Sequence, residues 1–398
     1  MSSTSDPWVW LAQEGHRILR DVRLLSMKPI KIDMRTHRLD AVQQALLEEQ
    51  LRFRQRSRDR FPEPDRWLWT DRSLQQASDW ASASYKASLI APEIAVVDAC
   101  CGAGSDLVAL AMEHEVVGID RDSRMVDLAR ANLEAHELQA EVCVGDIPSS
   151  LGDLNNVALH IDPDRRVGEE RSTRTTHGEA FSPSLAQCVE LGQRARVAII
   201  KLAPATEVVF EDGWAADWRR CWLGTQRECP QQLLLRGDTQ LQIPAGQVAA
   251  VIARSDANPQ AYCGELDVDV PLVTEPDTFI VEPHPSLYAA GLVPAWAVEN
   301  NLSAITHPRG YYTGDQTTPT PWAQSFRVLA RFAFDDRRLR KWLRSHDAGL
   351  LEVKSRLINV DASDLQRRYS QPQGRPLVCL LTRSGKGLRA IMAERFIA

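Results

Sequence analysis

The chain has 398 residues, of which 44% are hydrophobic and 25% charged, the ordinary balance of a soluble globular protein with two or three domains. No apolar run approaches the roughly 18 residues of a membrane-spanning helix, and the first residues lack the basic and apolar parts of a signal peptide. The eight cysteines form no C-x-x-C pair. We therefore expect reduced thiols in a cytoplasmic protein without a membrane segment or a metal site.

Charge is distributed unevenly along the chain. The net charge is −6, but Ser325–Ala398 holds 16 Lys and Arg against 7 Asp and Glu, a balance of +9, which leaves −15 for the rest. An acidic body with a basic end excludes a generally basic nucleic-acid binder and indicates an anionic partner for the C-terminal part.

The first 90 residues are predicted to be helical, with a strong helix-forming run over Asp40–Leu51. Arginine then occupies alternate positions from 52 to 60, and we interpret these side chains as a solvated helix face in preference to a phosphate-binding surface. Trp67, Trp69 and Trp80 are interpreted as core anchors in preference to platforms for stacked bases.

A glycine turn follows an apolar strand at Val96–Asp98. The pattern Asp98-Ala-Cys100-Cys-Gly102-Ala-Gly104 leads into an apolar helix, so strand, tight turn and helix form the layout of a nucleotide-binding crevice. Residues without Cβ allow the backbone to approach a ligand. A dinucleotide fold would need a third glycine where Val108 lies, which disfavours a pyrophosphate ligand.

Three later strands also end in acidic residues: Asp120 ends the second, Asp146 follows the third and Asp162 follows the fourth. Because the carboxyl ends of parallel strands meet at one edge of a sheet, these carboxylates are expected around one pocket. Asp120 lies where a carboxylate accepts ribose hydroxyls. Asp122 is the rival for that role, but its position favours a helix N-cap.

Beyond the fourth strand, the pattern of apolar residues and turns predicts further elements and the domain boundaries. A fifth strand ends at Lys201, and Gln232–Arg236 with Gln247–Ala253 predicts an antiparallel hairpin that closes the sheet. Tryptophans at 214, 218 and 222 are predicted to form one helix stripe. The predicted divisions are a helical region 1–90, a nucleotide-binding domain 91–254, a connector 255–324 with one helix, and a small α/β domain 325–398.

Five stretches, in this order, resemble bacterial class I S-adenosylmethionine (SAM) methyltransferases that carry a C-terminal THUMP-like domain. The stretches are Arg60–Pro62 with Leu74–Ser78, Asp98–Asp106, Asp162–Arg166 with Phe181–Pro183, Phe279–Pro285 with Ala290–Val293, and Leu351–Arg356 with Leu381–Arg383. The resemblance implies an α/β fold with a Rossmann-like seven-stranded sheet, and SAM as the cofactor.

It also implies roles for the strand-end residues. Asp98 would face the ammonium group of the cofactor, directly or through water, Asp120 would hold the ribose, and Asp146 would lie beside the adenine. The implied cofactor-binding residues are Asp98, Cys100, Gly102, Gly104, Asp120 and Asp146.

The fourth strand end departs from the D-P-P-Y motif of amino methyltransferases, in which the acid grips an amino group and the ring stacks on the base. Asp162-Pro163 fits the first half, but Asp164-Arg165 replaces the second. Arg165 or Arg166 could stack on a base, or could pair with nearby carboxylates. Phe181 could swing in from the following loop. The catalytic candidates are Asp162, Pro163 and Arg165, and the substrate-binding candidates are Arg166, Phe181, Lys201, Lys354 and Arg356.

THUMP domains bind RNA in tRNA-modifying enzymes, so the resemblance implies an RNA substrate, methylated at a base amino group. The basic C-terminal part agrees with this because Lys and Arg contacts to phosphate dominate RNA affinity. The alternatives are a non-catalytic RNA-binding protein that retains the fold and a methyltransferase of a non-RNA substrate; a dinucleotide-dependent oxidoreductase is a distant third. The sequence leaves the oligomeric state open.

Overall fold

The computed structural model describes residues 6–20, 39–164, 180–209, 216–317, 319–384 and 387–396. The chain forms two compact units. The first comprises Met1–Thr225, Pro230–Gln242 and Ala253–Pro259, and the second comprises Gln226–Cys229, Ile243–Ile252 and Gln260–Ala398.

Short helices make up the described N-terminal part of the first unit. They are α1 (Pro7–Arg20), α2 (Ala41–Ser57), α3 (Asp71–Gln76) and α4 (Trp80–Ser88), with a 3-10 turn at Pro64–Arg66. Each of the last three begins after a residue whose side chain accepts a backbone N–H of the first turn: Asp40, Thr70 and Asp79. These caps define where the helices begin.

Aromatic side chains form the core beneath these helices. The Trp67 and Trp69 rings are fully buried and stack with centroids 5.1 Å apart, and Phe61 packs 5.0 Å from each. Trp80 meets Trp67 edge-on at 6.4 Å. The three tryptophans predicted as core anchors therefore lie in packed aromatic contacts.

The sequence predicts a solvated helix face for the arginines from 52 to 60. The structure shows that two of them are instead bound to backbone carbonyl groups. Arg54 is 1% exposed and donates to the carbonyl oxygen of Asp65 at 2.6 Å. Arg60 donates to the carbonyl oxygens of Leu74 at 2.8 Å and Ala77 at 2.6 Å. Both guanidinium groups satisfy backbone carbonyls that the turns leave unpaired, a use that charge patterning cannot distinguish from exposure.

Seven strands of the first unit have the order β3-β2-β1-β4-β5-β7-β6. Strands β1–β5 are Val96–Ala99, Val116–Asp120, Glu141–Val144, Ala158–Ile161 and Val197–Leu202; β6 is Trp218–Gly224 and β7 is Gln231–Gly237. The first five are parallel, whereas β7 runs antiparallel to both β5 and β6. Helices α5 (Ser105–Ala111), α6 (Ser123–Ala135) and α7 (Leu185–Arg194) connect parallel strands. This is the Rossmann-like sheet that the sequence predicted.

Two expectations about the end of this sheet are wrong. Gln232–Arg236 lies in β7, which pairs with β5 and β6, and the run Gln247–Ala253 instead contains β8 (Val248–Ile252), which pairs with β9 (Gln260–Gly264) in the second unit. The predicted helix stripe is a strand, since Trp218 and Trp222 are both buried on β6. A spacing of four residues places side chains on one face of a strand as well as of a helix. Trp214 lies outside the described residues.

An eight-stranded sheet organises the second unit, in the order β10-β12-β13-β11-β14-β17-β16-β15. Its strands are β10 (Leu272–Val273), β11 (Phe279–Pro283), β12 (Ser303–Ile305), β13 (Tyr312–Gly314), β14 (Ala323–Ala333), β15 (Ala348–Ser355), β16 (Arg375–Ser384) and β17 (Gly387–Arg395). The helices are α8 (Pro285–Ala290), α9 (Val293–Glu299), α10 (Asp336–Ser345) and α11 (Ala362–Tyr369). The segment predicted as a connector thus contributes β10–β13 and holds two helices where one was expected.

Apolar side chains of α10 and α11 pack on one face of that sheet. Leu339, Leu343 and Leu365 lie in one core cluster with Leu351 and Leu377 of the strands. The alternation of strands and helices predicted after residue 325 is therefore present. No helix among the described residues is long and apolar enough to cross a membrane, and all eight cysteines are unbridged.

We predict that His16 makes the protein less stable in mild acid. Burial lowers the pKa of His16 to about 4, and the nearby Arg54 charge adds to the effect. The unfolded chain takes up a proton near pH 6.5, whereas the folded chain does so only near pH 4, so stability is lost as pH falls through this window. Between pH 7 and pH 5 the wild type should lose about 2 kcal/mol more of its free energy of unfolding than His16→Gln does.

Urea unfolding followed by tryptophan fluorescence at both pH values measures this difference. The matched control is His346→Gln, which changes an exposed histidine that directly follows α10 as its C-cap. An equal pH dependence for the wild type and His16→Gln would contradict the prediction.

Candidate active site

A cavity of about 350 Å³ lies in the first unit, at the carboxyl ends of the parallel strands. Most of the residues that the sequence placed at this edge line it: Asp98, Cys100, Gly102, Asp120, Asp146, Asp162 and Pro163. The N-terminal helices contribute a further part of the wall through Trp8, Trp69, Arg72 and Gln76. The strand-end carboxylates are therefore brought together, as expected, and the helical region is part of the same site.

The glycine turn has the conformation that its sequence requires. Gly102 has φ +56° and Gly104 has φ +89°, values that favour glycine. A Cβ on Gly102 would meet no atom within 4 Å, so the backbone is open to a ligand. Gly104 is the N-cap of α5, and a Cβ there would lie 3.3 Å from the Cβ of Ala129. Gly104 therefore allows the turn to pack on α6. It does not line the cavity.

Asp120 and Asp122 have different structural roles. One carboxylate oxygen of Asp120 accepts the Gly102 N–H at 2.8 Å and the other accepts the Asp122 N–H at 2.9 Å. Burial raises the pKa of Asp120, and these hydrogen bonds oppose the rise. Asp122 accepts the Arg124 N–H at 2.9 Å as the N-cap of α6. Asp120 thus joins the glycine turn to the second strand end, and Asp122 is the helix cap that the sequence favoured.

Asp98 is fully buried beside a histidine that sequence reasoning missed. His160 lies opposite Asp98 in the β1–β4 register, and its Nδ1 is 2.6 Å from Asp98 Oδ1. Burial raises the pKa of Asp98, although His160 opposes the rise. Within the described part of the chain, Asp98 Oδ2 and His160 Nε2 are buried without a hydrogen-bond partner. Such orphaned polar atoms at a cavity wall fit a ligand that carries an ammonium group.

Four charged side chains form what we call the buried charge network: Lys86, Asp106, Lys201 and Asp162. Lys86 Nζ lies 2.6 Å from Asp106 Oδ1, and Lys201 Nζ lies 3.9 Å from Asp106 Oδ2 and 2.5 Å from Asp162 Oδ2. Burial alone would raise the pKa of Asp106, but the ammonium groups of Lys86 and Lys201 hold it below the ordinary value. Lys201, which the sequence left as a substrate contact or a solvated strand end, is 4% exposed and internally paired.

Asp164 is fixed by the N-terminal helical region. Arg72 of α3 donates to Asp164 Oδ2 at 2.5 Å, and Gln76 donates to Oδ1 at 3.4 Å. The backbone of Asp164 pairs with that of Ser182 through two hydrogen bonds of 3.0 and 2.9 Å. These contacts hold the segment after β4 in place. Arg165 and Arg166, predicted as base-stacking or phosphate contacts, lie outside the described residues.

Phe181 does not line the cavity, contrary to the expectation of a ring that swings in. It is 5% exposed and belongs to the core cluster with Leu159 and Ile161, because burying an aromatic ring is more favourable than exposing it at a cavity mouth. Its neighbours Ser182 and Pro183 form the wall instead. Rings in the wall come from Trp8, which is half-buried, and Trp69, which is locked in the aromatic core.

The two candidates in the second unit are charge-paired there. Lys354 Nζ lies 2.7 Å from one Glu282 oxygen, and an Arg356 nitrogen lies 3.3 Å from the other. The Arg356 guanidinium also stacks 3.9 Å from the Tyr288 ring centre. Their charges are thus compensated within the unit, and a substrate-binding role for them stays a prediction.

The composition of the wall fits a cationic ligand. Seven aspartates line the cavity, against the three arginines Arg72, Arg121 and Arg124. Among the described residues, no group of His, Cys, Asp and Glu is arranged to hold a metal ion. An open glycine turn, an orphaned buried carboxylate oxygen and a carboxylate after the second strand can together hold an adenosyl cofactor with a sulfonium and an amino-acid end.

Comparisons with known proteins identify the family of the chain. Residues 96–158 match a family model described as a methyltransferase domain, and residues 323–395 match one described as THUMP domain-like. The crystal structure of a protein named as a methyltransferase of Porphyromonas gingivalis W83 has the same fold, with a TM-score of 0.73, 19% identity and coverage of 98% of both chains.

Two relatives come from Mycobacterium tuberculosis strains CDC 1551 and H37Rv, and both are named as uncharacterized S-adenosylmethionine-dependent methyltransferases. Each is 30% identical over 326 residues, which is 81% of this chain and 86% of the relative. The chain therefore belongs to the S-adenosylmethionine-dependent methyltransferases and carries a C-terminal THUMP-like domain.

Proposed function

We propose that this methyltransferase acts on RNA, at an amino group of a base. The observation that carries the RNA assignment is a basic helix face in the unit whose sequence matches the THUMP-like model. Arg337, Lys341 and Arg344 are exposed on α10 at spacings of four and three residues, so they lie along one side of the helix. We call these three residues the α10 basic face.

Many of the other basic side chains of this unit already have carboxylate partners. Glu394 pairs with both Arg327 and Arg375, and Glu352 pairs with Arg395 at 2.6 Å. These pairs neutralise much of the charge on the β-sheet side. The α10 basic face is therefore the better candidate for contacts to RNA phosphates, which favour clustered and exposed Lys and Arg.

The cavity residues suggest a placement for the cofactor. In this proposal the amino-acid end lies over the turn at Cys100, Gly102 and the neighbouring Asp98, Asp120 accepts the ribose hydroxyls, and Asp146 lies beside the adenine. When bound, SAM would supply a methyl group on a sulfonium: the nucleophile would bond to the methyl carbon in line with the C–S bond, and the sulfur would leave as the thioether of S-adenosylhomocysteine. The protein then has mainly to position the nucleophile and exclude water.

Asp162 is the residue that we assign to the nucleophile. Its side chain is 26% exposed at the cavity, and Lys201 binds its Oδ2. Oδ1 is then the oxygen left to accept an N–H from an amino group, which would orient the nitrogen lone pair toward the methyl carbon. Pro163 follows without an N–H of its own and would present its carbonyl oxygen as a second acceptor.

We predict that Asp120→Asn weakens SAM binding at least about tenfold, because hydrogen bonds to a charged group contribute about 1.5–3 kcal/mol. Isothermal titration calorimetry measures the dissociation constant. The matched control is Asp122→Asn, which changes a carboxylate two residues away that caps α6. The control should leave SAM affinity within about twofold of the wild type. Unchanged affinity in Asp120→Asn would remove the ribose assignment.

We further predict that the double variant Arg337→Gln, Arg344→Gln binds RNA with lower affinity. Its affinity should also depend less steeply on salt concentration. Each phosphate contact on single-stranded RNA contributes about 0.7 to the slope of log affinity against log salt, so the slope should decrease by about 1.4. The control is Arg52→Gln with Arg58→Gln, which removes the same charge from an exposed part of the N-terminal region. Filter binding across salt concentrations gives both slopes.

Transfer of labelled methyl groups from SAM to total RNA of a strain that lacks the protein tests the activity itself. The account predicts incorporation by the wild type and loss with Asp162→Ala. Salt-sensitive RNA binding without incorporation would indicate the non-catalytic RNA-binding alternative. Incorporation only into protein or small molecules would indicate the non-RNA alternative.

A further inference from the structure

We propose that Lys201 is a positioning residue for methyl transfer, which acts by holding Asp162 Oδ2 so that Oδ1 faces the nucleophile. The inference rests on the proposed role of Asp162 and gives Lys201 a role different from the substrate contact expected from sequence. It concerns the buried charge network, in which Asp106 and Asp162 line the cavity and Lys86 and Lys201 lie outside its wall.

The surroundings of Lys201 hold its ammonium group inside the protein. Its Nζ donates to Asp162 Oδ2 at 2.5 Å and to the carbonyl oxygen of Gln76 at 3.3 Å. Asp106 Oδ2 lies 3.9 Å away, which is an ion pair without a hydrogen bond. Because the side chain is only 5% exposed and is paired with two carboxylates, Lys201 is poorly accessible to an RNA phosphate.

The charges of the network cancel, which explains how it can be buried. Lys86 and Lys201 balance Asp106 and Asp162, with the signs alternating along the chain of contacts. Ser78 completes it, since its Oγ accepts from Lys86 at 2.8 Å and donates to Asp106 at 2.8 Å. A buried charge without a partner is strongly destabilising, so each member restricts the position of the next.

The network extends from the N-terminal helices to Asp162, directly after β4. Lys86 lies on α4, Asp106 on α5 and Lys201 on β5, and Asp162 follows β4. Gln76 adds a second link, because its carbonyl accepts from Lys201 while its side chain donates to Asp164. The orientation of Asp162 is thus set by rigid elements, and a displacement of about 1 Å at a reacting group can cost about 100-fold in rate.

The first test replaces Lys201 with methionine, which has a similar length and no charge. Lys201→Met should lower kcat for methyl transfer to RNA about 100-fold, while KM for RNA and the calorimetric Kd for SAM stay within about threefold. Lys201→Gln keeps an N–H donor and should retain more activity than Lys201→Met. A fall in SAM affinity that parallels the fall in kcat would indicate a merely structural role and overturn the proposal.

The second test is a double-mutant cycle with Asp162→Asn. If Lys201 acts through Asp162, Lys201→Met should lower kcat by less than about threefold in the Asp162→Asn background. If the two residues contributed independently, the fold-losses in kcat of the two single variants would multiply in the double variant. A further 100-fold loss in the double variant would therefore contradict the inference.

Crystal structures of the wild type and Lys201→Met with S-adenosylhomocysteine separate this inference from the RNA proposal. We expect the Asp162 carboxylate to leave its position in the variant while the homocysteine remains in place. An unmoved Asp162 would overturn the positioning role. A wild type that methylates no RNA would overturn the proposed substrate, and the crystal structures would still decide the role of Lys201.

Discussion

Three buried charges and one partly exposed charge at the carboxyl edge of the parallel sheet depend on one another. Lys86, Asp106, Lys201 and Asp162 can leave water only as an alternating set, because each isolated charge would carry a desolvation penalty of several kcal/mol. The set joins α4, α5, β5 and the end of β4. The glycine turn lies directly before α5, and Asp162 lies directly after β4. One electrostatic constraint therefore links the glycine turn to the end of the fourth strand.

The same constraint explains why the N-terminal helices are part of the catalytic unit. Arg72 and Gln76 hold Asp164, and Ser78 and Lys86 hold Asp106. In the D-P-P-Y motif, a proline and an aromatic residue follow the first Asp-Pro. Here a carboxylate stands in that position and is fixed by side chains from α3. The departure from the motif is thus accompanied by partners elsewhere in the chain, which hold the Asp164 side chain in place.

The cavity at the carboxyl edge of the sheet could be predicted from sequence because it depends on local patterns: strand ends, glycines with positive φ, and carboxylates at or after strand ends. The rest depends on contacts between residues far apart in the chain. Nothing local distinguishes Lys86 on a short helix, or His160 inside a strand, from an ordinary core or surface residue. Trp218 and Trp222 were assigned to a helix because their spacing satisfies both periods. Phe181 was predicted as a substrate contact, but hydrophobic burial places it in the core.

We propose that the glycine turn and the strand-end carboxylates form the SAM site of this methyltransferase. A crystal structure with S-adenosylhomocysteine tests this proposal most directly. We expect the homocysteine part of the ligand over the turn at Gly102, and both ribose hydroxyls within hydrogen-bonding distance of Asp120. A ligand bound elsewhere, or one whose ribose lies away from Asp120, would contradict it.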